Sequence, residues 1–260
     1  MKIRTCAQPI TLVHEPPCTG AVVCLHGYSG YPGELALVAS ALYDARFDVF
    51  VPRYPGHGTS GDDFIRTGRN DWIAEAERTV RDVSERYAQV SLVGHSMGGA
   101  IAVLLASTYA IKRVVLYAPA LLVQGLSLPL VTLMGLFHTK KRRPWQPDER
   151  YRFYDVRDPD DDAYLGSEYW SWYHPRQLRH LELLRRAACT ALGKTSADIL
   201  VITGGEDATV PKEVGNMVLE LGGGRNRWIH LDKATHMIPY DIDDQSRDEA
   251  MTKSVEWLLM

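Results

Sequence analysis

The chain has 260 residues, of which 45% are hydrophobic and 23% are charged, and its formal net charge is −3 at pH 7. A chain of this length can bury a large core, and the composition is ordinary for a globular protein, so we expect one domain with an insertion. The slightly negative charge argues against nucleic-acid binding, which usually requires a concentrated basic face.

Targeting and redox features point to the cell interior. Residues 1–10 mix charged and polar side chains with apolar ones, which argues against a signal peptide. The longest apolar candidate, residues 121–137, is interrupted by polar residues and by Pro129, so no membrane span is expected. The four cysteines show no metal-binding spacing and are too few for a disulfide framework, so we interpret them as free thiols. We therefore predict a cytoplasmic protein.

Short apolar strands alternate with amphipathic helices through the first half of the chain. The patterns predict strands at 3–6, 10–13, 21–25, 48–51, 90–93 and 114–117, and helices at 34–46, 71–87 and 97–109. Prolines near the first two strands place those strands at an antiparallel edge. The alternation of strands and helices implies an α/β fold with a mostly parallel sheet covered on both faces.

The alternation stops after Pro119 and resumes near Asp198. A structureless loop of this length is improbable in a compact domain, so we predict a small, largely helical cap at 120–195, inserted into a core formed by 1–119 and 196–260. A strand at 199–203, a helix at 210–221, a strand at 227–231 and a closing helix at 243–259 complete the core. The insertion is rich in aromatic residues: Phe137, Trp145, Tyr151, Phe153, Tyr154, Tyr164, Tyr169, Trp170, Trp172 and Tyr173.

A serine nucleophile is predicted in the segment Gly-His-Ser-Met-Gly at 94–98, which lies between an apolar strand and a helix. A serine hydroxyl is a poor nucleophile at neutral pH, so it needs a base beside it and an exposed, strained position. The two glycines lack Cβ atoms, which lets the strand turn sharply into the helix. This pattern in this setting indicates a nucleophile elbow with Ser96 as the nucleophile. The alternative is a chance match to a short motif.

A base and an acid for this serine are predicted on two later loops. His236 lies between the last strand and the last helix, at the carboxyl edge of the sheet. Asp207 follows the strand at 199–203 at the same edge and would hold the histidine in the required tautomer. The order Ser96, Asp207, His236 is the one expected for this arrangement. The alternatives are a turn or helix-capping role for Asp207 and an exposed loop histidine at 236.

Two backbone N–H groups are predicted to bind an oxyanion. Met97 begins a helix, and the first N–H groups of a helix have no internal partner. Tyr28, in the loop after the strand at 21–25, supplies the second donor. We predict structural roles for His26 and His57, and we expect Asp241 to cap the last helix.

The chain resembles the α/β-hydrolase family over nearly its whole length. The pieces that match are His26-Gly27-Tyr28, Pro55-Gly56-His57-Gly58, the elbow at 94–98, Gly204-Gly205-Glu206-Asp207 and Ala234-Thr235-His236. The short cap and the segment 54–72 are similar to bacterial carboxylesterases and monoacylglycerol lipases. This resemblance implies hydrolysis of carboxylic esters through an acyl-enzyme, with no metal and no organic cofactor. The HGGG-type oxyanion loop of some lipases is absent, which disfavours the hormone-sensitive-lipase branch.

Two other functions stay open at this point. The same three residues could perform acyl transfer, thioester or amide hydrolysis, or perhydrolysis, which the fold does not distinguish. A catalytically idle protein could instead use the pocket to bind a small molecule. The aromatic cap residues could line an apolar acyl pocket or form only the core of the cap.

Charged runs suggest surface features of the insertion. The basic run at 140–143 could attract an anionic substrate or a membrane surface weakly, although such a run is usually a solvated loop. The acidic run at 158–162 is interpreted as a surface turn. A small-molecule ester is the expected partner, and the sequence leaves the oligomeric state open.

Overall fold

A mostly parallel sheet forms the centre of the molecule. The computed structural model describes residues 3–18, 20–146 and 164–260. The strands of this part of the chain are β1 (Ile10–Leu12), β2 (Gly20–Leu25), β3 (Asp48–Val51), β4 (Gln89–His95), β5 (Arg113–Tyr117), β6 (Lys141–Arg142), β7 (Trp172–Tyr173), β8 (Asp198–Gly204) and β9 (Asn226–Leu231). Seven of these described strands form one sheet in the order β1-β3-β2-β4-β5-β8-β9. β1 runs antiparallel to β3, and the other neighbouring strands are parallel.

Helices cover both faces of this sheet. They are α1 (Ala36–Asp44), α2 (Gly61–Phe64), α3 (Arg69–Ser84), α4 (Met97–Ala106), α5 (Leu128–Phe137), α6 (Pro175–Leu192), α7 (Val214–Leu221) and α8 (Asp244–Leu259). α1 and α8 contact each other and the sheet, whereas α3 and α4 pack against β2 and β4. The strands β2 and β5 are buried along almost their whole length, because neither face of the sheet is exposed to water there.

The parallel strands bring their carboxyl ends to one edge of the sheet. Leu25 pairs with Gly94 and His95 pairs with Tyr117, so β2, β4 and β5 end side by side. The loops that follow these strands therefore meet at this edge, where open α/β sheets place their ligands. The predicted mostly parallel sheet flanked by helices is confirmed.

Two predicted elements differ from the structure. The strand predicted at 3–6 is wrong, because this segment forms the 3-10 turn Thr5–Ala7. Arg4 N–H donates to the Gly58 carbonyl. Ala7 packs so closely against Gly58 that a Cβ on Gly58 would overlap the Ala7 side chain. The helix predicted at 34–46 begins with the separate 3-10 turn Pro32–Leu35, which turns Glu34 inwards.

The segment at 120–195 contains α5, the β6–β7 pair, a π-helical turn at Gly166–Trp170, and α6. Hydrogen bonds tie this segment to the loop after β3. Tyr169 accepts from Thr59 N–H and donates to the Gly56 carbonyl, and Glu168 accepts from Gly61 N–H. The predicted aromatic residues 151, 153 and 154 and the acidic run at 158–162 lie outside the described residues.

None of the four cysteines, Cys6, Cys18, Cys24 and Cys189, forms a disulfide bond, and Cys24 is fully buried as a small core residue. Among the residues that the structure describes, none of the helices has the length and apolar character needed to cross a membrane.

Candidate active site

Ser96 lies in a sharp turn between β4 and α4. Its backbone has φ 51° and ψ −114°, a conformation that side-chain-bearing residues rarely adopt. Its N–H donates to the Tyr117 carbonyl at 2.9 Å, which ties the turn to β5. Glycine is required on both sides, because a Cβ on Gly94 would lie 2.5 Å from the Gly98 carbonyl oxygen and a Cβ on Gly98 would overlap the Leu25 carbonyl. The predicted elbow geometry is therefore present.

Substituting Gly98 is expected to destabilise the elbow. The Gly98→Ala side chain would collide with the backbone of β2, which a rotamer change does not relieve, so we expect a loss of about 1–3 kcal/mol in the free energy of unfolding, the usual range for overpacking. Chemical denaturation measures this loss. Gly193→Ala is the matched control, because its Cβ would lie 3.4 Å from its nearest neighbour, an ordinary contact. Equal stability of the two variants would contradict the account.

The structure brings the three predicted side chains together. His236 Nε2 lies 3.0 Å from Ser96 Oγ, and His236 Nδ1 lies 2.8 Å from Asp207 Oδ2. The serine and the aspartate use different nitrogens of one imidazole ring, so a proton leaving Ser96 can enter the ring while Asp207 holds the opposite N–H. The Asp207 side chain is fully buried, whereas His236 is 15% exposed. The histidine therefore faces the open side of the site.

Asp207 is held in its ionised form. Burial by itself raises the pKa of this carboxyl group, but the hydrogen bond and the charge of His236, together with the N–H groups of Val210 and Thr209, lower the pKa below its ordinary value. A lowered pKa in the folded state means that the carboxylate stays charged at neutral and mildly acidic pH. Its stabilising contribution is lost only as the pH falls through that lowered value.

The loop after β2 passes directly against the serine. Gly30 N–H donates to the Gly27 carbonyl and closes a tight turn in which Ser29 has φ 53°. A Cβ on Gly27 would lie 3.5 Å from Ser96 Cβ. Tyr28 is in this turn, and Met97 is the first residue of α4. Among the described residues, neither of their backbone N–H groups is paired with an acceptor in the protein.

The loop that carries His236 is held by a residue for which we predicted another role. Asp241 does not cap the last helix: Asp243 does so, by accepting from Ser246 N–H. Asp241 Oδ2 instead accepts from the backbone N–H and the hydroxyl of Thr235, at 2.7 and 2.9 Å. The prediction was wrong because two acidic residues precede the helix and only the fold shows which of them reaches its N–H groups.

Two fully buried histidines near the site, His26 and His57, stay neutral. His26 lies within hydrogen-bond distance of the Gly27 carbonyl and accepts from Tyr54 N–H, and His57 contacts the Pro55 carbonyl within its own turn. Burial lowers the pKa of His26 well below its ordinary value and that of His57 to about 3. His230 contacts the Thr203 hydroxyl between β9 and β8. The contacts of His26 and His57 agree with the structural roles predicted for these two residues.

A second buried pair near the serine was not predicted. Glu34 is buried beneath the Gly27 turn and accepts from Gly27 N–H at 3.2 Å. His95 is the residue before the serine. Its Nδ1 lies 3.6 Å from Glu34 Oε2, and its Nε2 lies 2.9 Å from the His236 carbonyl oxygen. The sequence signal was present but weak: a glutamate within an apolar helix and a histidine within the elbow motif.

One group of potential metal ligands exists among the described residues, formed by His14, Cys18 and Asp48. The oxygens of Asp48 already accept from the N–H groups of His14 and Cys18 and from the Tyr87 hydroxyl. His14 Nδ1 faces both Asp48 and Cys18, so the ring does not relay a proton between them as His236 can. Asp48 is the first residue of β3, whereas Ser96 follows the last residue of β4, so the two residues lie at opposite ends of the parallel strands. We assign this group a structural role.

Comparison with known proteins identifies the family. The model of the alpha/beta hydrolase family matches residues 22–249. The chain therefore belongs to the alpha/beta hydrolase family, as the sequence motifs predicted.

Relatives within the family are lipases and esterases. The chain is 35% identical to a thermostable monoacylglycerol lipase of Bacillus sp. (strain H-257) over 85 residues. This aligned region covers 33% of this chain and 34% of the lipase. Over 98 residues it is 29% identical to a carboxylesterase of Bacillus subtilis (strain 168), which covers 36% of this chain and 39% of the esterase. The match thus spans little more than a third of either relative. A solved structure of the metagenome-derived lipolytic enzymes LipS and LipT has the same fold, with a TM-score of 0.84 and 20% identity over 99% of both chains.

Proposed function

We propose that the protein is a serine hydrolase that cleaves carboxylic esters through an acyl-enzyme. The single observation that carries this proposal is the pair of distances at His236, 3.0 Å to Ser96 and 2.8 Å to Asp207. The names of the partly matching lipase and esterase agree with it. Short- to medium-chain acyl esters or monoacylglycerols are the proposed substrates, and no metal or organic cofactor enters the reaction.

The proposed reaction has two halves. His236 Nε2 takes the proton of Ser96 Oγ as the oxygen attacks the ester carbonyl, and the resulting oxyanion is bound by the N–H groups of Tyr28 and Met97. His236 then gives its proton to the leaving alcohol as the carbon–oxygen bond breaks, which leaves an acyl group on Ser96. Water attacks this group as His236 takes its proton, and His236 returns that proton to Ser96 Oγ as the bond to the acyl carbon breaks and the acid is released. Asp207 stabilises the imidazolium in both halves.

Labelling tests whether Ser96 is reactive. A fluorophosphonate probe is expected to phosphonylate Ser96 in the folded protein, and mass spectrometry locates the adduct. The alternative of a non-catalytic binding protein predicts no adduct. Hydrolysis rates for p-nitrophenyl esters from acetate to laurate then separate a short-chain carboxylesterase from a lipase with a preference for longer chains. Acyl transfer, thioester or amide hydrolysis, and perhydrolysis are tested with their own substrates.

The segment at 120–195 is the proposed cap over this site. Trp170 donates from its indole N–H to the Ser29 carbonyl at 3.3 Å, next to the proposed oxyanion donor Tyr28. Its neighbour Tyr169 is buried and packs edge-on against Phe64. The two rings support both interpretations of the aromatic residues, since Trp170 lies beside the site and Tyr169 fills a core. A cytoplasmic location, consistent with four cysteines that form no disulfide bond, is part of the proposal.

Weak association with an anionic lipid surface is proposed for the outer face of this segment. Leu130, Leu133, Leu136 and Phe137 are 52–74% exposed on one face of α5, while Val131 is buried. Exposed apolar side chains at helical spacing are typical of an interaction surface rather than of scattered surface residues. The basic run at 140–143 follows within three residues and is exposed, which provides charge complementarity to anionic headgroups.

Vesicle co-sedimentation tests this surface. We expect binding to phosphatidylglycerol vesicles and weaker binding to phosphatidylcholine vesicles, because each exposed cation near the surface adds attraction. Replacing Leu133, Leu136 and Phe137 with serine is expected to remove binding without changing the hydrolysis of soluble p-nitrophenyl butyrate. The matched control replaces Leu219 and Leu221, which are exposed on α7, with serine. Equal vesicle binding of the two variants, or a dimer that dissociates in the first variant, would contradict the proposal.

A further inference from the structure

A continuous chain of contacts passes beneath Ser96 and joins the two loops proposed to perform the chemistry. It begins at Gly27 N–H, which donates to Glu34 Oε2 at 3.2 Å. Glu34 Oε2 lies 3.6 Å from His95 Nδ1, and His95 Nε2 lies 2.9 Å from the His236 carbonyl oxygen. The first link holds the turn that presents Tyr28 N–H, and the last holds the backbone of His236.

The protonation of His95 follows from its partners. A carbonyl oxygen only accepts hydrogen bonds, so the 2.9 Å contact with the His236 carbonyl requires a proton on His95 Nε2. In a neutral ring with that proton, Nδ1 carries a lone pair. Nδ1 is buried, has no hydrogen-bond partner among the described residues, and faces the carboxylate of Glu34. A lone pair facing a carboxylate in a buried site is repulsive.

Adding one proton turns this repulsion into attraction. A proton on Nδ1 makes the ring an imidazolium, and 3.6 Å from Nδ1 to a carboxylate oxygen is within ion-pair distance, although too long for a good hydrogen bond. Glu34 Oε2 also accepts from Gly27 N–H, so the same oxygen links His95 to the loop after β2. Both side chains are almost completely buried, at 6% exposure for Glu34 and 2% for His95, so water does not screen the pair.

We propose that Glu34 and His95 form a buried, protonated ion pair that positions the Tyr28 turn and the His236 loop on either side of Ser96. The pair rests on the function proposed above, since it acts through His236 and Tyr28 and contacts no substrate. Other titratable groups around it are the ring of His236, whose centroid is 5.1 Å from that of His95, and His26, which is held neutral by burial. The carboxylate of Glu34 fits closely against Gly30, where a Cβ would overlap it.

Nitrogen-15 NMR of histidine-labelled protein tests the proton directly and does not require activity. In the wild-type protein we expect both ring nitrogens of His95 to carry protons, with the His95 signals assigned by their loss in His95→Gln. In Glu34→Gln, the amide can donate to Nδ1, so we expect His95 to become a neutral ring protonated only on Nε2. A wild-type His95 with an unprotonated Nδ1 would overturn the proposal, whatever the reaction of Ser96.

Kinetics test the positioning role. In Glu34→Ala the Gly27 N–H and His95 Nδ1 both lose their partner, and we expect kcat to fall by on the order of 10-fold to 100-fold, because small misplacements of reacting groups cost about this much. KM should change little, since the pair does not contact substrate. Glu34→Gln is expected to restore part of kcat, because the amide atom at the position of Oε2 can still bond one of its two partners, Gly27 N–H or His95 Nδ1.

Two variants of His95 distinguish the contact of Nε2 with the His236 carbonyl from the contact of Nδ1 with Glu34. A glutamine at 95 places an amide N–H near the position of Nε2 and keeps the bond to the His236 carbonyl, whereas an asparagine mimics only Nδ1. We expect His95→Gln to retain more kcat than His95→Asn. Rates are expressed per Ser96 site labelled by fluorophosphonate, so that loss of folded protein does not count as loss of kcat.

A buried glutamate away from the site is the matched control. Glu182 in α6 is 1% exposed and pairs with Arg185 and Arg186. Glu182→Gln is expected to lower the melting temperature and leave kcat per labelled site unchanged. Unchanged kcat in Glu34→Ala, or equal losses in Glu34→Ala and Glu34→Gln, would overturn the positioning role. Failure of the wild-type protein to react with the probe would instead overturn the proposed function and leave the NMR result to decide on the pair.

Discussion

Ser96→Ala is expected to reduce kcat for p-nitrophenyl ester hydrolysis by about 10⁴-fold or more, the scale seen when a serine nucleophile is removed. The hydroxyl that attacks the carbonyl is lost, while the oxyanion donors and His236 stay in place. Because only one oxygen atom leaves a site that is open to substrate, the melting temperature should change little. Steady-state hydrolysis and thermal unfolding of the same preparation measure both quantities.

A second serine provides the control for this substitution. Ser107 follows the other end of α4, and its hydroxyl donates to the Leu104 carbonyl. Ser107→Ala should keep both hydrolysis and fluorophosphonate labelling. If Ser96→Ala hydrolyses the esters at the wild-type rate, the nucleophile is a different residue and the proposed acyl-enzyme on Ser96 is wrong.

Asp207→Asn is expected to lower kcat at neutral pH by about 10⁴-fold, as for the equivalent change in serine proteases. The asparagine amide would donate to His236 Nδ1, which leaves the ring proton on Nε2. In this tautomer Nε2 does not accept the proton of Ser96. Fluorophosphonate labelling should slow in parallel, because both reactions need the same activated hydroxyl.

The adjacent acid distinguishes a specific role for Asp207 from a general loss of charge. Glu206 is exposed, and Glu206→Gln removes the same charge one residue away. We expect this control to keep kcat. The lowered pKa of Asp207 adds a pH test: the carboxylate remains ionised in mild acid, so protonation of Asp207 should not lower the wild-type rate there. Similar kcat losses in both variants would contradict the assigned role of Asp207.

The three candidate catalytic residues could be predicted from local sequence, because the position of a residue relative to a strand determines where it lies on the sheet. An apolar strand in a parallel sheet ends at the same edge as its neighbours, so residues just after such strands meet there. Ser96, Asp207 and His236 each follow an apolar strand or the loop beyond it, and the structure brings all three within hydrogen-bond distance. Their glycine neighbours mark the turns, because a Cβ at Gly94 or Gly98 would strike backbone.

Predictions from local sequence were wrong where a residue has several possible partners. Asp241 and Asp243 are both plausible caps, and which of them reaches the helix N–H groups depends on how the preceding loop folds. The strand predicted at 3–6 had the right alternation, but this segment lies against the turn at Gly58.

The sequence by itself determined the class of fold and the three candidate catalytic residues, because apolar periodicity and the glycine-flanked serine are local features whose geometry is nearly the same wherever they occur. Only the tertiary structure decided that Gly27 meets Glu34, that Glu34 meets His95, and that His95 meets the carbonyl of His236. These residues come from separate segments whose side chains could each have satisfied other partners. Their contacts depend on the packing of the loops at the sheet edge, and no short-range pattern in the chain encodes that packing.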